Sequence, residues 1–176
     1  MTASFEPARP GSVAKVQTRL ARSRGAEREP MTPQALKWIM NLWPPYLGAG
    51  IRVLRIAPDW RSADVCLKMH WYNRNYVNTH FGGSLFAMAD PFYMLLLMHI
   101  LGREYRVLDK AAAIEFAAPA RGTVMARFCV DDALVNRIRE KTAGGEKHFE
   151  DLEVSVKDGQ GRIVARIVKT LYFRKK

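Results

Sequence analysis

The part of this chain best suited to chemistry is a carboxylate set among apolar residues. From Leu85 to Leu101 the side chains are apolar except at Asp90, Pro91 and His99. A helix that is apolar on every side belongs in an interior. A carboxylate there has to be paired, hydrogen-bonded or protonated. Asp90 therefore reads as a buried acid with a task, as general base for a water or as a nucleophile. Gly82 and Gly83 open the same segment. The first N–H groups of a helix lack intrahelical acceptors and the helix dipole favours negative charge, so glycines there let a ligand carbonyl come close. Close packing of helix on sheet is the competing reading of the pair. Pro91 should leave the Ala87 carbonyl without its N–H partner and bend the helix.

The loop ahead of the glycines carries Asn75, Asn78 and Thr79, residues that shape loops by side-chain-to-backbone hydrogen bonds. His80 is expected to face solvent in that loop, with Phe81 after it. One helical turn before Asp90, Ala87 leaves space. Phe86, Tyr93 and Met94 would line an apolar tunnel or simply fill core. No His, Cys, Asp or Glu constellation has metal-ligand spacing, so no metal is expected. Gly83 and Asp90 are seven residues apart, about 10 Å along a helix. One small ligand group cannot be reached by both within one chain. If both act, they come from two subunits across a two-fold axis.

The elements that must hold these residues follow from periodicity. Thr32 suits an N-cap and Pro33 the first helical position. Leu36, Ile39, Met40 and Trp43 then form one apolar helix face, which Pro44-Pro45 should end. Strands are expected over Ile51–Ala57 and from Ser62 to Trp71, the second with Ala63, Val65, Leu67, Met69 and Trp71 on one face. After the central helix come strands at Arg106–Ala118, Thr123–Val130, about Glu150–Val156, and Ile163–Phe173. DDALVNRIRE makes a short helix, and DGQGR a hairpin turn. Lys110 and Glu115 fall on opposite faces of their strand. Hairpin-linked strands imply an antiparallel sheet, and a helix apolar all round needs that sheet on one side and a second copy on the other. The fold class is α+β.

Composition sets the limits. Of 176 residues, 48% are hydrophobic and 26% charged, which fits one globular domain with a real core and excludes a disordered chain. Residues 1–30 read as a disordered basic tail with six Lys/Arg against three Glu, and Met31 is a possible start. The domain is expected over 31–176. Cys66 and Cys129 read as buried reduced thiols of a cytoplasmic protein. The N-terminus shows no secretory h-region. A net charge of +11 invites an anionic partner. No nucleic-acid motif is present, and weak membrane contact by the tail is the most the charge suggests.

From about Ala35 to Lys176 the sequence resembles the hot-dog fold of the acyl-CoA thioesterase superfamily. Asn75-x-x-Asn78-Thr79-His80-Phe81-Gly82-Gly83 is similar to that family's Asn-x-x-Gly-(Ser/Thr)-x-His-Gly-Gly loop, and LFAMAD stands where the family has LxxLAD. LDKAAAIEFAAPARGTV resembles its strand ending in Phe-x-x-Pro-x-x-Gly. The nearest branch is a thioesterase-like one of unknown function, similar to the phenylacetate-pathway type. The resemblance implies a sheet wrapped round one long helix, paired in homodimers or dimers of dimers with sites at the interface. It implies an acyl-CoA substrate, coenzyme A entering only as part of it, and no other cofactor. Asp90, Gly82 and Gly83 match the catalytic positions, with Asn75, Asn78, Thr79, His80, Phe81, Ala87 and Met94 around the substrate. Two departures stand out. Phe81 occupies the family's His position and Asn78 its loop Gly, so a non-hydrolytic acyl-thioester or fatty-acid binder is the alternative.

Overall fold

The first helix begins where a hydroxyl meets a proline. Thr32 Oγ1 accepts from Ala35 N at 3.1 Å, and Pro33 leads helix α1 (Pro33–Leu42). Leu36 and Met40 are buried, whereas Ile39 and Trp43 lie exposed. Pro44-Pro45 do not end the helical region. Trp43 is extended, with ψ 124°, and the two prolines start a second helix, α2 (Pro44–Ala49), where a missing N–H costs nothing. The computed structural model describes residues 31–176, so the tail read over residues 1–30 lies outside the described residues. Thr32–Lys176 forms one compact unit.

Six strands make one sheet in the order β1-β2-β4-β5-β6-β3, with every pair antiparallel. They are β1 (Ile51–Ile56), β2 (Ser62–Leu67), β3 (Tyr105–Phe116), β4 (Val124–Cys129), β5 (Lys147–Lys157) and β6 (Ile163–Lys175). Strand β2 stops short of the alternation seen in the sequence, and Trp71 is 82% exposed. Asn73 turns the chain away: its Nδ2 donates to Ala49 O and Lys68 O, and its Oδ1 accepts from His70 N. Helix α5 (Asp132–Lys141) is capped by Asp131, which accepts from Leu134 N at 2.7 Å. Asp158 closes the β5–β6 hairpin by accepting from Gln160 N and Arg162 N. Cys66 is buried, and burial pushes its thiol pKa up. Cys129 is exposed, because the alternation of β4 turns its last residue outward.

The long central helix is two helices. Helix α3 (Gly82–Ala87) and helix α4 (Phe92–Leu101) are separated by a turn over residues 88–91. Pro91 brings no N–H, and the Ala87 carbonyl instead accepts from the buried Tyr46 hydroxyl and from Asp90 N, each at 3.3 Å. By length and composition Gly82–Leu101 would suffice to cross a membrane. Here α4 buries Phe92, Tyr93, Leu96, Leu97 and Leu101 in the core with Phe128, Ile167, Leu171 and Phe173. Met94 and Leu95 are only half-buried and Met98 is 45% exposed, which leaves an apolar stripe of α4 uncovered.

Tyr46→Phe keeps the ring and removes the hydroxyl donor to Ala87. It should cost about 0.5–1.5 kcal/mol, the net worth of one hydrogen bond, read from urea denaturation of wild type and variant.

Candidate functional site

Asp90 is not buried within a helix. It stands in the turn ahead of α4 with its side chain 55% exposed. The buried charge is its partner. Lys169, on the inward row of β6, is 2% exposed, and its Nζ donates to Asp90 Oδ1 at 2.8 Å. The same ammonium lies 3.1 Å from Asp109 Oδ1 on β3 and 5.9 Å from the centre of the Phe86 ring. A buried ammonium needs such pairing. Burial pushes the Asp109 carboxyl pKa up, Lys169 opposes that, and the Asp90 charge adds to it. Tyr46, on α2, has its hydroxyl pKa raised by burial and then by the Asp90 charge, which brings a fourth polar group to the turn. Two aspartates thus share one buried ammonium.

The glycines open into a different place. A cleft of about 490 Å³ is lined by Asn75, Thr79, His80, Gly82, Leu85 and the stretch from Phe116 to Ala120, among others. Asn75 ties the loop: its Nδ2 donates to Thr79 Oγ1 at 2.8 Å, and its Oδ1 accepts from Val77 N and Thr79 N. Asn78 takes the left-handed conformation at φ 59°, the service a glycine gives at such a position. Phe81 O accepts from Ser84 N and Leu85 N, so the N–H groups of Gly82 and Gly83 have no intrahelical acceptor. Close packing also holds here, since a Cβ on Gly82 would stand 2.8 Å from the Phe116 ring.

His80 does not face solvent. It is 3% exposed, and its Nε2 lies 2.7 Å from Gly122 O. A carbonyl accepts only, so Nε2 carries the proton and the neutral ring is left with Nδ1 as a bare acceptor. That nitrogen has no partner among the described residues. In this form Nδ1 is an acceptor and does not donate to a carbonyl oxygen.

The structure therefore brings Asn75, Thr79, His80 and Gly82 to one cleft, while Gly83 and Phe81 lie exposed beside it. Asp90 is not in that lining. Ala87 and Met94 pack half-buried against the core. Lys169 and Asp109 were not singled out from the sequence. A signal existed for Lys169, which interrupts the alternating row Ala165, Ile167, Leu171, Phe173. Asp109 shares the inward side of β3 with Tyr105 and Val107, since its pairing with Leu171 precedes the bulge between Asp109 and Ala111. The extra residue puts Lys110 on the outer side with Glu115, not on the opposite face. Among the described residues no group of three His, Cys, Asp or Glu side chains could hold a metal ion.

A family model described as Domain of unknown function (DUF4442) matches residues 32–173. No curated protein matches significantly. Among solved structures, a Pseudomonas aeruginosa protein of unknown function described as a probable thioesterase superposes with TM-score 0.71 at 17% identity, covering 84% of this chain and 100% of its own. A Haemophilus influenzae thioesterase gives 0.60 at 12% identity, over 84% and 94%. The E. coli PaaI protein of the phenylacetic acid degradation operon gives 0.55 at 16%, over 81% and 91%. At these identities the likeness establishes the fold, that of the thioesterase-like hot-dog proteins.

Burial holds the His80 pKa below the ordinary 6.5, and the hydrogen bond to Gly122 only partly opposes this. The folded value lies below the unfolded one, so this contribution to stability is present above pH 6.5 and is lost as pH falls through the folded value. His99, also lowered by burial, acts in the same direction. The melting temperature should fall on going from neutral to mildly acid pH. His80→Gln should flatten that fall, and an unchanged slope would exclude His80 as its source.

Proposed function

The chain belongs to the DUF4442 family, and from the site its fold builds we propose that it hydrolyses acyl thioesters at a site completed by a second copy. The observation that carries this reading is Asp90: a solvent-facing carboxylate whose Oδ1 is fixed at 2.8 Å by a fully buried ammonium. Such a carboxylate is oriented yet accessible, as a base for water must be. The fold and the thioesterase-like neighbours support the same reaction class.

In this reading Asp90 takes a proton from water while the oxygen adds to the thioester carbonyl. The N–H groups of Gly82 and Gly83 receive the developing oxyanion. Collapse expels the thiolate, which recovers the proton from Asp90, and acid and free thiol leave. Lys169 holds Asp90 throughout. Gly82 lines a cleft that Asp90 does not enter, with Gly83 exposed beside it, so in this reading the carboxylate works with the glycines of the other copy. Two features support such a pairing. Strand β3 is a twelve-residue edge strand carrying Ala111, Ala112, Ala113 and Ile114, a long apolar edge of the kind proteins otherwise cover. The stripe of Met94, Leu95 and Met98 also needs cover.

A panel of acyl-CoA chain lengths tests the reaction. Asp90→Asn should lower kcat by about 10²–10⁴-fold, the usual worth of a general base. Lys169→Met should lower it by at least about tenfold, since the base loses its fixed position. Wild type that binds the thioesters and turns over none of them would instead favour the acyl-thioester-binding alternative. Specific activity should also fall on dilution as the dimer dissociates, and equal activity in monomer and dimer would rule out the shared site.

A further inference from the structure

Helices α1 and α2 carry apolar side chains on two sides. Leu36 and Met40 are buried, while Trp38, Ile39 and Leu42 on the adjoining side of α1 are exposed, Trp38 by 57% and Leu42 by 68%. Trp38 and Leu42 are one turn apart, so they stand together. Trp43 and Leu47 carry the exposed apolar residues on into α2, with the Trp43 ring packed on the buried Tyr46 at 5.4 Å. Asn41 keeps this side outward. Its Nδ2 donates to Val53 O and its Oδ1 accepts from Val53 N, which covers the open edge of β1 and holds α1 against it. The turn with Trp71 and Tyr72, both exposed, is tied to the end of α2 by Asn73 Nδ2, which donates to Ala49 O. Large apolar side chains gathered in one exposed region mark a contact surface.

Charge is sorted around this region. None of the chain's 17 Asp and Glu residues falls within 31–58 or 65–89, the stretches that contain it. Those stretches hold Lys37, Arg52, Arg55, Lys68 and Arg74 instead. Arg55 stands 4.0 Å from Asp64 on the neighbouring strand β2. In the sequence ahead of α1, residues 1–30 add six Lys/Arg against three Glu.

We infer that this face docks on an anionic lipid bilayer, with Trp38, Leu42, Trp43 and Leu47 entering the boundary between headgroups and acyl chains. Trp and Leu on one side of a helix, with basic and no acidic residues around them, is the composition of a helix that lies in a membrane interface. The cations then meet lipid phosphates. A second copy suits this face less well. Two-fold contact of the face with itself would double its positive charge and bring no carboxylate to meet it. The copy invoked above for the shared site docks on β3, and β1, which α1 covers, is the opposite edge of the sheet. The bilayer contact does not rest on the hydrolytic reading and stands whether or not the chain turns over thioesters.

Co-sedimentation of the full chain with vesicles tests the contact. The protein should pellet with phosphatidylcholine vesicles that contain phosphatidylglycerol, and bind pure phosphatidylcholine more weakly. Trp38→Ser/Leu42→Ser should weaken binding to the mixed vesicles at least about tenfold, as losing two membrane-buried side chains requires. Lys37→Glu/Arg52→Glu leaves the apolar residues in place and should also weaken it. Met125→Ser/Phe149→Ser removes exposed apolar groups from β4 and β5 and should leave binding intact; an equal loss there would reduce the effect to general hydrophobicity and overturn the face. In wild type, lipids brominated near the headgroup end of the acyl chain should quench tryptophan emission, and Trp38→Phe should lower that quenching. This readout decides the matter if the serine pair unfolds. No binding to the mixed vesicles, no quenching, or full binding by a folded serine pair would overturn the inference. So would binding lost in Arg19→Gln/Arg22→Gln/Arg24→Gln but kept in the serine pair, which would place the contact in residues 1–30. An oligomer that the serine pair dissociates, with no vesicle binding by wild type, would give the face to a second copy and overturn it as well.

Discussion

A buried ammonium organises the middle of this molecule. Lys169 sits in the inward row of β6, and an unpaired cation there would carry a large desolvation cost. Two elements meet at it. The central helix breaks at Asp90–Pro91, β3 bulges just after Asp109, and each element delivers one carboxylate to the same Nζ. Regular continuation of the helix would carry Asp90 elsewhere, because a proline break frees a residue from the helical phase, whereas Asp109 is held by its regular pairing with Leu171. The break is stabilised in turn from α2, where Tyr46 donates to the Ala87 carbonyl, which Pro91 has no N–H to meet and which Asp90 N also reaches.

The surfaces left open follow from the same arrangement. Strand β3 is paired on one side only, by β6, and α4 is covered on one side only, by the sheet. Asp90 stands at the start of α4 and is tied to β3 through Lys169, so the exposed carboxylate borders both uncovered elements. Across the sheet, Lys110 continues the outward row of Arg106 and Leu108, and the bulge after Asp109 brings Ala111 to the same side.

The loop before α3 solves a separate problem. Asn75 spends its side chain on the loop's own backbone, Asn78 supplies the left-handed turn, and His80 closes over the cleft with its proton committed to Gly122. With its proton thus committed, the neutral His80 ring keeps only an acceptor, Nδ1.

Much of this was legible in the chain itself. Period-two alternation located the strands, because one face of each is buried. The glycine pair and Asp90 declared themselves by spacing, and Pro91 announced the helix break, because a missing N–H acts wherever the residue lies. The left-handed turn at Asn78 was likewise a local property. What the sequence misjudged depended on distant partners. Asp90 looked buried because its neighbours are apolar, yet the turn lifts it to the surface and the buried charge belongs to Lys169, 79 residues away. His80 looked exposed because it is in a loop, yet Gly122 folds over it. Trp71 looked like a strand residue until Asn73 turned the chain. The bulge and the shared cation are properties of register, and register is decided by pairing between strands far apart in sequence.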